Sequence, residues 1–157
     1  MISSDRRAKT QNEISYALDF ISKYVQQSVG DFNNPAIRRY PTAGAQTGFQ
    51  VRVDLNNPKT PGNLIDDSWI TFYLNGNQLI VIFGLTPEVL TDKIISNFLA
   101  DVMPDYPTRG FYARITDQGM TVDVGLVGRY YPSVAASSSN PEVAMKMRLV
   151  SPNSPAQ

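Results

Sequence analysis

Two residue types are missing altogether from this 157-residue chain: cysteine and histidine. Without cysteine there is no disulfide, no thiolate ligand for a metal cluster and no thiol nucleophile. Without histidine, the commonest general base and the commonest zinc ligand are gone as well. Charge is sparse: Asp, Glu, Lys and Arg make up 18% of the residues, and fourteen bases cancel fourteen acids. A neutral chain exerts no overall pull on nucleic acid or on an anionic membrane. No apolar run reaches the roughly 20 residues of a membrane span. The opening MISSDRRAKTQNE lacks the apolar centre of a signal peptide. The expectation is a soluble, cytoplasmically made protein with no membrane partner.

Catalytic patterns are missing too. There is no GxxxxGK[ST], no GxGxxG after a strand, no GxSxG and no Ser-x-x-Lys. GAQTG at 44–48 precedes a strand, lacks lysine and reads as a loop. Asp66 and Asp67 read as a turn, and Asp101 and Asp105 straddle the helix-ending Pro104, so neither pair forms a ligand set. We therefore expect no enzymatic activity, no catalytic residue, no cofactor and no metal.

What is present is organised. Length and a 42% hydrophobic content point to one domain with a real core. Over residues 5–29, Ile14, Ala17, Leu18, Ile21, Tyr24, Val25 and Val29 recur at helical spacing, with Ser4 as a cap and Gly30 as a stop. Residues 1–9 and 151–157 read as polar tails, and 30–48 and 129–142 as long loops. FQVRVDL alternates as a half-buried strand with Phe49, Val51, Val53 and Leu55 inward.

SWITFYLNGNQLIVIFGL, residues 68–85, reads as a hairpin turning at Asn75-Gly76 in a type I′ turn, with Leu74 opposite Asn77. Ile70, Phe72, Leu74, Leu79, Val81 and Phe83 share its core face. Trp69, Thr71, Tyr73, Gln78, Ile80 and Ile82 share the other, and that face also needs a cover, either a helix or another subunit. TPEVLTDKIISNFLADVMP, residues 86–104, reads as a helix: Thr86 as N-cap, Pro87 at the first position, Glu88 on the dipole, Pro104 as terminator, and Leu90, Ile94, Phe98 and Val102 with Ile95 and Leu99 as a wide apolar stripe. FYARITDQGMTVDVGLV reads as a hairpin with a four-residue loop, Asp117 to Met120, which sets Arg114 opposite Asp123. VAMKMRLV alternates with Val143, Met145, Met147 and Leu149 inward. The expected architecture is α+β: a mainly antiparallel sheet of about six strands built from hairpins, packed with two helices in the order α-β-β-β-α-β-β-β.

Two Arg-Tyr clusters stand out, AIRRYP (Arg38, Arg39, Tyr40) and GRYYP (Arg129, Tyr130, Tyr131). Arginine beside tyrosine suits base stacking, and it is also the composition of protein interface hot spots. A pI near 6.2 favours the protein reading over nucleic acid. Charge is unevenly placed. Arg6, Arg7, Lys9, Lys23, Arg38 and Arg39 outnumber Asp5, Glu13, Asp19 and Asp31 in the first forty residues, a polarity that suits head-to-tail contacts.

A basic-tipped N-terminal helix, a three-strand block, an amphipathic helix and a further hairpin, over residues 6–130, resemble the layout of tailed-phage tail-terminator and tail-completion proteins at the head–tail joint. The same layout is similar to the αβββαββ chaperone-like domains of bacterial secretion systems, which bind protein segments. Both resemblances imply a non-enzymatic binding module. The leading expectation is a structural subunit acting through protein–protein contacts, in its most specific form a phage neck or tail component. It would be assembled into the virion in a host cytoplasm, as a homo-oligomeric ring or array with other structural proteins. A chaperone or inhibitor gripping one protein is the alternative, and weak nucleic-acid binding the next. The candidate contact residues are Arg38, Arg39, Tyr40, Trp69, Tyr73, Ile80, Ile82, Arg129, Tyr130 and Tyr131.

Overall fold

The computed structural model describes residues 2–31, 33–54, 68–95, 98–99 and 110–152. One long helix, α1 (Ile2–Gln26), precedes nine strands. They are β1 (Ile37–Tyr40), β2 (Gly48–Val53), β3 (Ser68–Asn75), β4 (Gln78–Phe83), β5 (Thr86–Thr91), β6 (Phe98–Leu99), β7 (Phe111–Thr116), β8 (Thr121–Arg129) and β9 (Glu142–Val150). They form two sheets, β1-β2-β3-β4-β5 and β6-β7-β8-β9. Every pairing is antiparallel except the short parallel contact of β6 with β7. The domain is α+β, but among the described residues it has one α-helix where two were expected, and two sheets where one of about six strands was expected.

α1 follows its sequence stripe. Ile14, Ala17, Leu18, Ile21 and Val25 are buried in one core together with the inner faces of both sheets. Phe20 packs edge-on against Phe72 and Phe83 of the first sheet, at 6.4 and 6.0 Å. Phe49 of β2 meets Phe111 of β7 at 6.3 Å, so the two sheets touch directly beside the helix. The helix begins earlier than expected, taking in residues 2–9 and placing Ser4 inside its first turn rather than at a cap. It ends earlier as well, because Ser28 bridges to Val53 and the Val29 amide donates to the Arg52 carbonyl. The chain then turns tightly at Gly30, where a methyl group would come within 2.6 Å of the Asn34 carbonyl oxygen.

The expected helix at 86–104 is not there. Residues Thr86–Thr91 are β5, paired to β4 through Phe83↔Thr86, Ile82↔Pro87 and Val81↔Glu88. The cause lies just upstream. Gly84 takes φ +61°, and with Leu85 it forms a two-residue hairpin turn. Thr86, Val89 and Thr91 are β-branched and suit the strand that follows. Pro87 fits because β5 is the sheet edge. Of the apolar residues read as a helix stripe, Leu90 and Ile94 are buried from extended backbone, Ile94 bridging to Gly128. Phe98 and Leu99 lie in β6, while Val102 and Pro104 fall outside the described residues.

The first hairpin turns one residue later than expected. Asn75 pairs with Gln78, Leu74 with Leu79, Phe72 with Val81 and Ile70 with Phe83. Gly76 has φ +60° while Asn77 does not go positive, the arrangement of a type II′ turn with glycine first. Asn77 has tertiary work instead: its side-chain amide donates to the Ile94 carbonyl at 2.9 Å. Both side-chain faces survive the shift unchanged. The second hairpin has the expected register, including the loop from Asp117 to Met120 and the Arg114↔Asp123 pair, but the face carrying that pair, expected in solvent, buries Tyr112 and Asp123. Asp123 is nearly buried, and across its other edge Arg148 grips it through two hydrogen bonds of 2.8 and 3.2 Å. That contact raises the Arg148 pKa, first by the hydrogen bond and then by the carboxylate charge.

Neither long loop is structureless. β1 lies inside 30–48, anchored by the buried Ile37. Within 129–142 the buried Asn140 acts as a hub. Its amide donates to the carbonyls of Tyr131 and Val134, and its oxygen accepts from the Tyr131 amide. At the far end Ser151 is buried on Ser28 at 2.8 Å, so the segment read as a tail begins inside the fold.

Candidate interaction surface

The outer face of the first sheet is built by the register of β1 through β5. One row across it runs Arg38, Gln50, Thr71 and Ile82, and the next runs Tyr40, Gly48, Tyr73 and Ile80. Arg52 and Trp69 form a further cross-strand pair. Hydrogen bonds tie the first row together: Arg38 Nε donates to Gln50 Oε1 at 2.6 Å, and Gln50 Nε2 donates to Thr71 Oγ1 at 2.9 Å. In the second row Gly48 presents no side chain, so the rings of Tyr40 and Tyr73 meet across it with centroids 5.7 Å apart.

Trp69 is the centre of the face. The guanidinium carbon of Arg38 lies 3.8 Å from its ring centroid and that of Arg52 lies 4.5 Å away. Arginine stacked on indole is the strong form of the cation–π contact. Partial burial of Arg38, and then the neighbouring Arg52 charge, lower the Arg38 pKa. Thr71 and Ile80 are buried by their neighbours, while Arg38, Tyr40, Gln50, Arg52, Trp69, Tyr73 and Ile82 are half-buried. α1 and the second sheet pack on the opposite face, against Phe49, Phe72 and Phe83. The helix expected as a cover for this face is itself strand β5 over residues 86–91.

Six of the ten sequence-predicted residues therefore come together here: Arg38, Tyr40, Trp69, Tyr73, Ile80 and Ile82. Arg39 does not join them. It points to the other side of β1, opposite Phe49, and donates to the Gly44 carbonyl at 2.6 Å. Arg129, Tyr130 and Tyr131 belong to a separate cluster beside the start of α1. There Arg129 is held in an ion pair with Glu142 at 2.8 Å, and the two tyrosine rings meet edge to face at 4.8 Å. Arg52 and Gln50 were missed because the FQVRVDL alternation assigns them to solvent. Only the pairing of β2 with β3 shows that Arg52 lands on Trp69.

Asp66, Asp67, Asp101 and Asp105 lie outside the described residues. Among the described residues no three His, Cys, Asp or Glu side chains gather as a metal site. No described helix is long and apolar enough to cross a membrane. The fold and this surface define a two-sheet α+β domain with an arginine–tryptophan centred face. No protein-family model, curated protein or solved structure matches the chain.

Proposed function

We propose that the protein is a non-enzymatic assembly subunit, and that the outer face of β1–β4 is its contact with other subunits. The observation that carries this reading is the placing of Arg38, Tyr40, Trp69, Tyr73, Ile80 and Ile82 on a single sheet face, opposite the face packed by α1. Interface cores are enriched in tryptophan, tyrosine and arginine, and a hot spot is a large aromatic held rigid by neighbours. Trp69, clamped by two guanidiniums, has that character. A chain without histidine or cysteine supports the non-enzymatic part. In its most specific form the subunit belongs to a phage neck or tail. That form rests on element order, and strand β5 in place of a second helix removes one of its supports.

The test is the mass of the purified protein at tens of micromolar, measured by light scattering. The parent is expected to self-associate. Changing Tyr73 and Ile82 together to Ser should leave a folded monomer with the parent's circular dichroism, since both side chains are only half-buried. A parent that is monomeric, with a double variant that loses stability alone, sinks the reading.

A further inference from the structure

The second sheet ends at β9, a strand of nine residues without proline. It pairs with β8 from Thr121↔Val150 to Arg129↔Glu142 in unbroken register. Among the described residues no strand pairs with its other side. Antiparallel strands exchange hydrogen bonds at every second pair, so one bond fixes the phase. The Ser151 amide donates to the Met120 carbonyl at 2.8 Å, in line with the Thr121↔Val150 register. Val143, Met145, Met147 and Leu149 therefore bond to β8. Glu142, Ala144, Lys146, Arg148 and Val150 direct their backbone groups away from it. On the far side of β8 the Val127 amide donates to the Gly110 carbonyl, which requires the same phase.

An edge of this kind is a template for another strand, and the sequence of β9 complements itself. Two copies meeting antiparallel must set outward residues against outward residues, so the two-fold axis falls beside a residue. An axis at Lys146 opposes Lys146 to Lys146, and an axis at Met147 opposes Lys146 to Arg148 twice. An axis at Met145 opposes Glu142 to Arg148 and Ala144 to Lys146, each twice, with no like-charge pair. Directly opposed like charges are unfavourable across strands and opposite charges favourable. Continued over both molecules, the Met145 register makes a row of alternating sign: Arg129, Glu142, then Arg148 and Asp123 of the second copy. Within one chain Glu142 engages Arg129 through Oε1, and Arg148 engages Asp123 through Nε and Nη2. Glu142 Oε2 and Arg148 Nη1 are left for the new contact. On the core side Met145 and Met147, half-buried in the single chain, would meet Met145 and Val143 of the second copy.

We infer that β9 is a contact for a second copy of this chain, the two strands pairing antiparallel about an axis at Met145. Each edge uses up the other, so the pair closes as a dimer. The contact is one strand wide, at the small, transient end of protein interfaces, and a chain relying on it alone is monomeric at tens of micromolar. It is separate from the outer face of β1–β4 and does not depend on it.

The chain has no cysteine, so a single introduced thiol reports the register by disulfide trapping. In this register the two Met145 Cα atoms are a directly opposed pair about 4.5 Å apart, within the roughly 4.4–6.8 Å that a disulfide spans. Full-length variants are held at about 1 mM in a glutathione redox buffer and read on non-reducing gels. Met145→Cys should trap a covalent dimer at least about tenfold faster than Met147→Cys does, or than the two variants trap each other. Those alternatives report the axes at Met147 and Lys146, and both keep Lys146 in place. Ala144→Pro, added to Met145→Cys, removes an outward N–H that the β8 pairing does not use. It should melt near its parent and lower trapping about tenfold; if it fails to fold, the register comparison alone decides. Tyr73→Ser with Ile82→Ser should not abolish trapping, which separates this edge from the sheet face. Equal rates for all thiol positions, faster trapping in another register, undiminished trapping in a folded Ala144→Pro chain, or loss of trapping in the sheet-face variant each overturns the inference.

Discussion

Replacing Gly125 by Ala adds a single methyl group to the middle of β8, and the structure says where it must go. Gly125 pairs with Tyr112 on one side and Lys146 on the other. A methyl there would come within 2.7 Å of Tyr112 Cδ1 and closer still to Cζ and Cε1. Carbon atoms in contact sit about 3.5–4.0 Å apart, so the overlap is of the order of an ångström. Tyr112 is fully buried, so it cannot escape into solvent without losing its packing. Relief has to come from an off-rotamer tyrosine or a shift of β7, and overpacking of this kind costs about 1–3 kcal/mol. In a chain of this size each kcal/mol lowers Tm by about 2–4 °C. Gly125→Ala should therefore melt roughly 2–12 °C below the parent in a thermal scan followed by circular dichroism. The double-mutant cycle with Tyr112→Ala isolates the cause. Tyr112→Ala alone should be destabilising by about 3–5 kcal/mol, but adding Gly125→Ala to it should cost almost nothing more. A Gly125→Ala variant that melts with the parent, or an equal cost in both backgrounds, would refute the face-on packing of Tyr112 over β8.

Gly76→Val should cost at least about 1 kcal/mol, because a β-branched residue resists the positive φ of this turn. No atom lies within 4 Å of the added carbon, so the cost is backbone strain alone, read in the same melt. Asn140→Ala should destabilise by about 1–3 kcal/mol, since it strips partners from the Tyr131 and Val134 carbonyls in a buried hub. Amide exchange should accelerate across residues 131–140, and protection equal to the parent's would count against the hub.

Sequence and structure agree over most periodic signals and part at the turns and at residues 86–91, where a helical stripe and good capping chemistry still gave a strand. The α1 stripe, the two faces of the β3–β4 hairpin and the alternation of β9 all come from burial patterns that tertiary structure has no reason to override. The β7–β8 register was legible for the same reason, since a three-residue loop scatters apolar residues over both faces. The turn of the first hairpin was not. Moving it from Asn75-Gly76 to Gly76-Asn77 changes every partner but leaves each residue on its face, so hydrophobic pattern cannot tell the two apart. The larger miss was β5. Thr86-Pro87-Glu88 fits the start of a helix by local chemistry, yet Gly84-Leu85 fits a type II′ turn equally well by its own. Which one wins is settled by β4, whose open edge gains a full row of hydrogen bonds from the strand. The outer-face residues were legible as a set, but the role of Arg52 depended on the β2–β3 register, which joins residues far apart in the chain.

The proline in β5 bears on which kinds of assembly the chain permits. Antiparallel hydrogen bonding alternates from the closing pair of the hairpin, Phe83 with Thr86, so the backbone nitrogen of Pro87 faces away from β4. That nitrogen carries no hydrogen. A strand from a second molecule docking along this edge would find a gap where a donor belongs, in the middle of the exposed half of β5. Continuous growth of the sheet from copy to copy, the route to fibres, is interrupted at that residue. Copies that meet along the β5 edge must do so through side chains, and a contact made that way can be changed by substitution without disturbing either sheet.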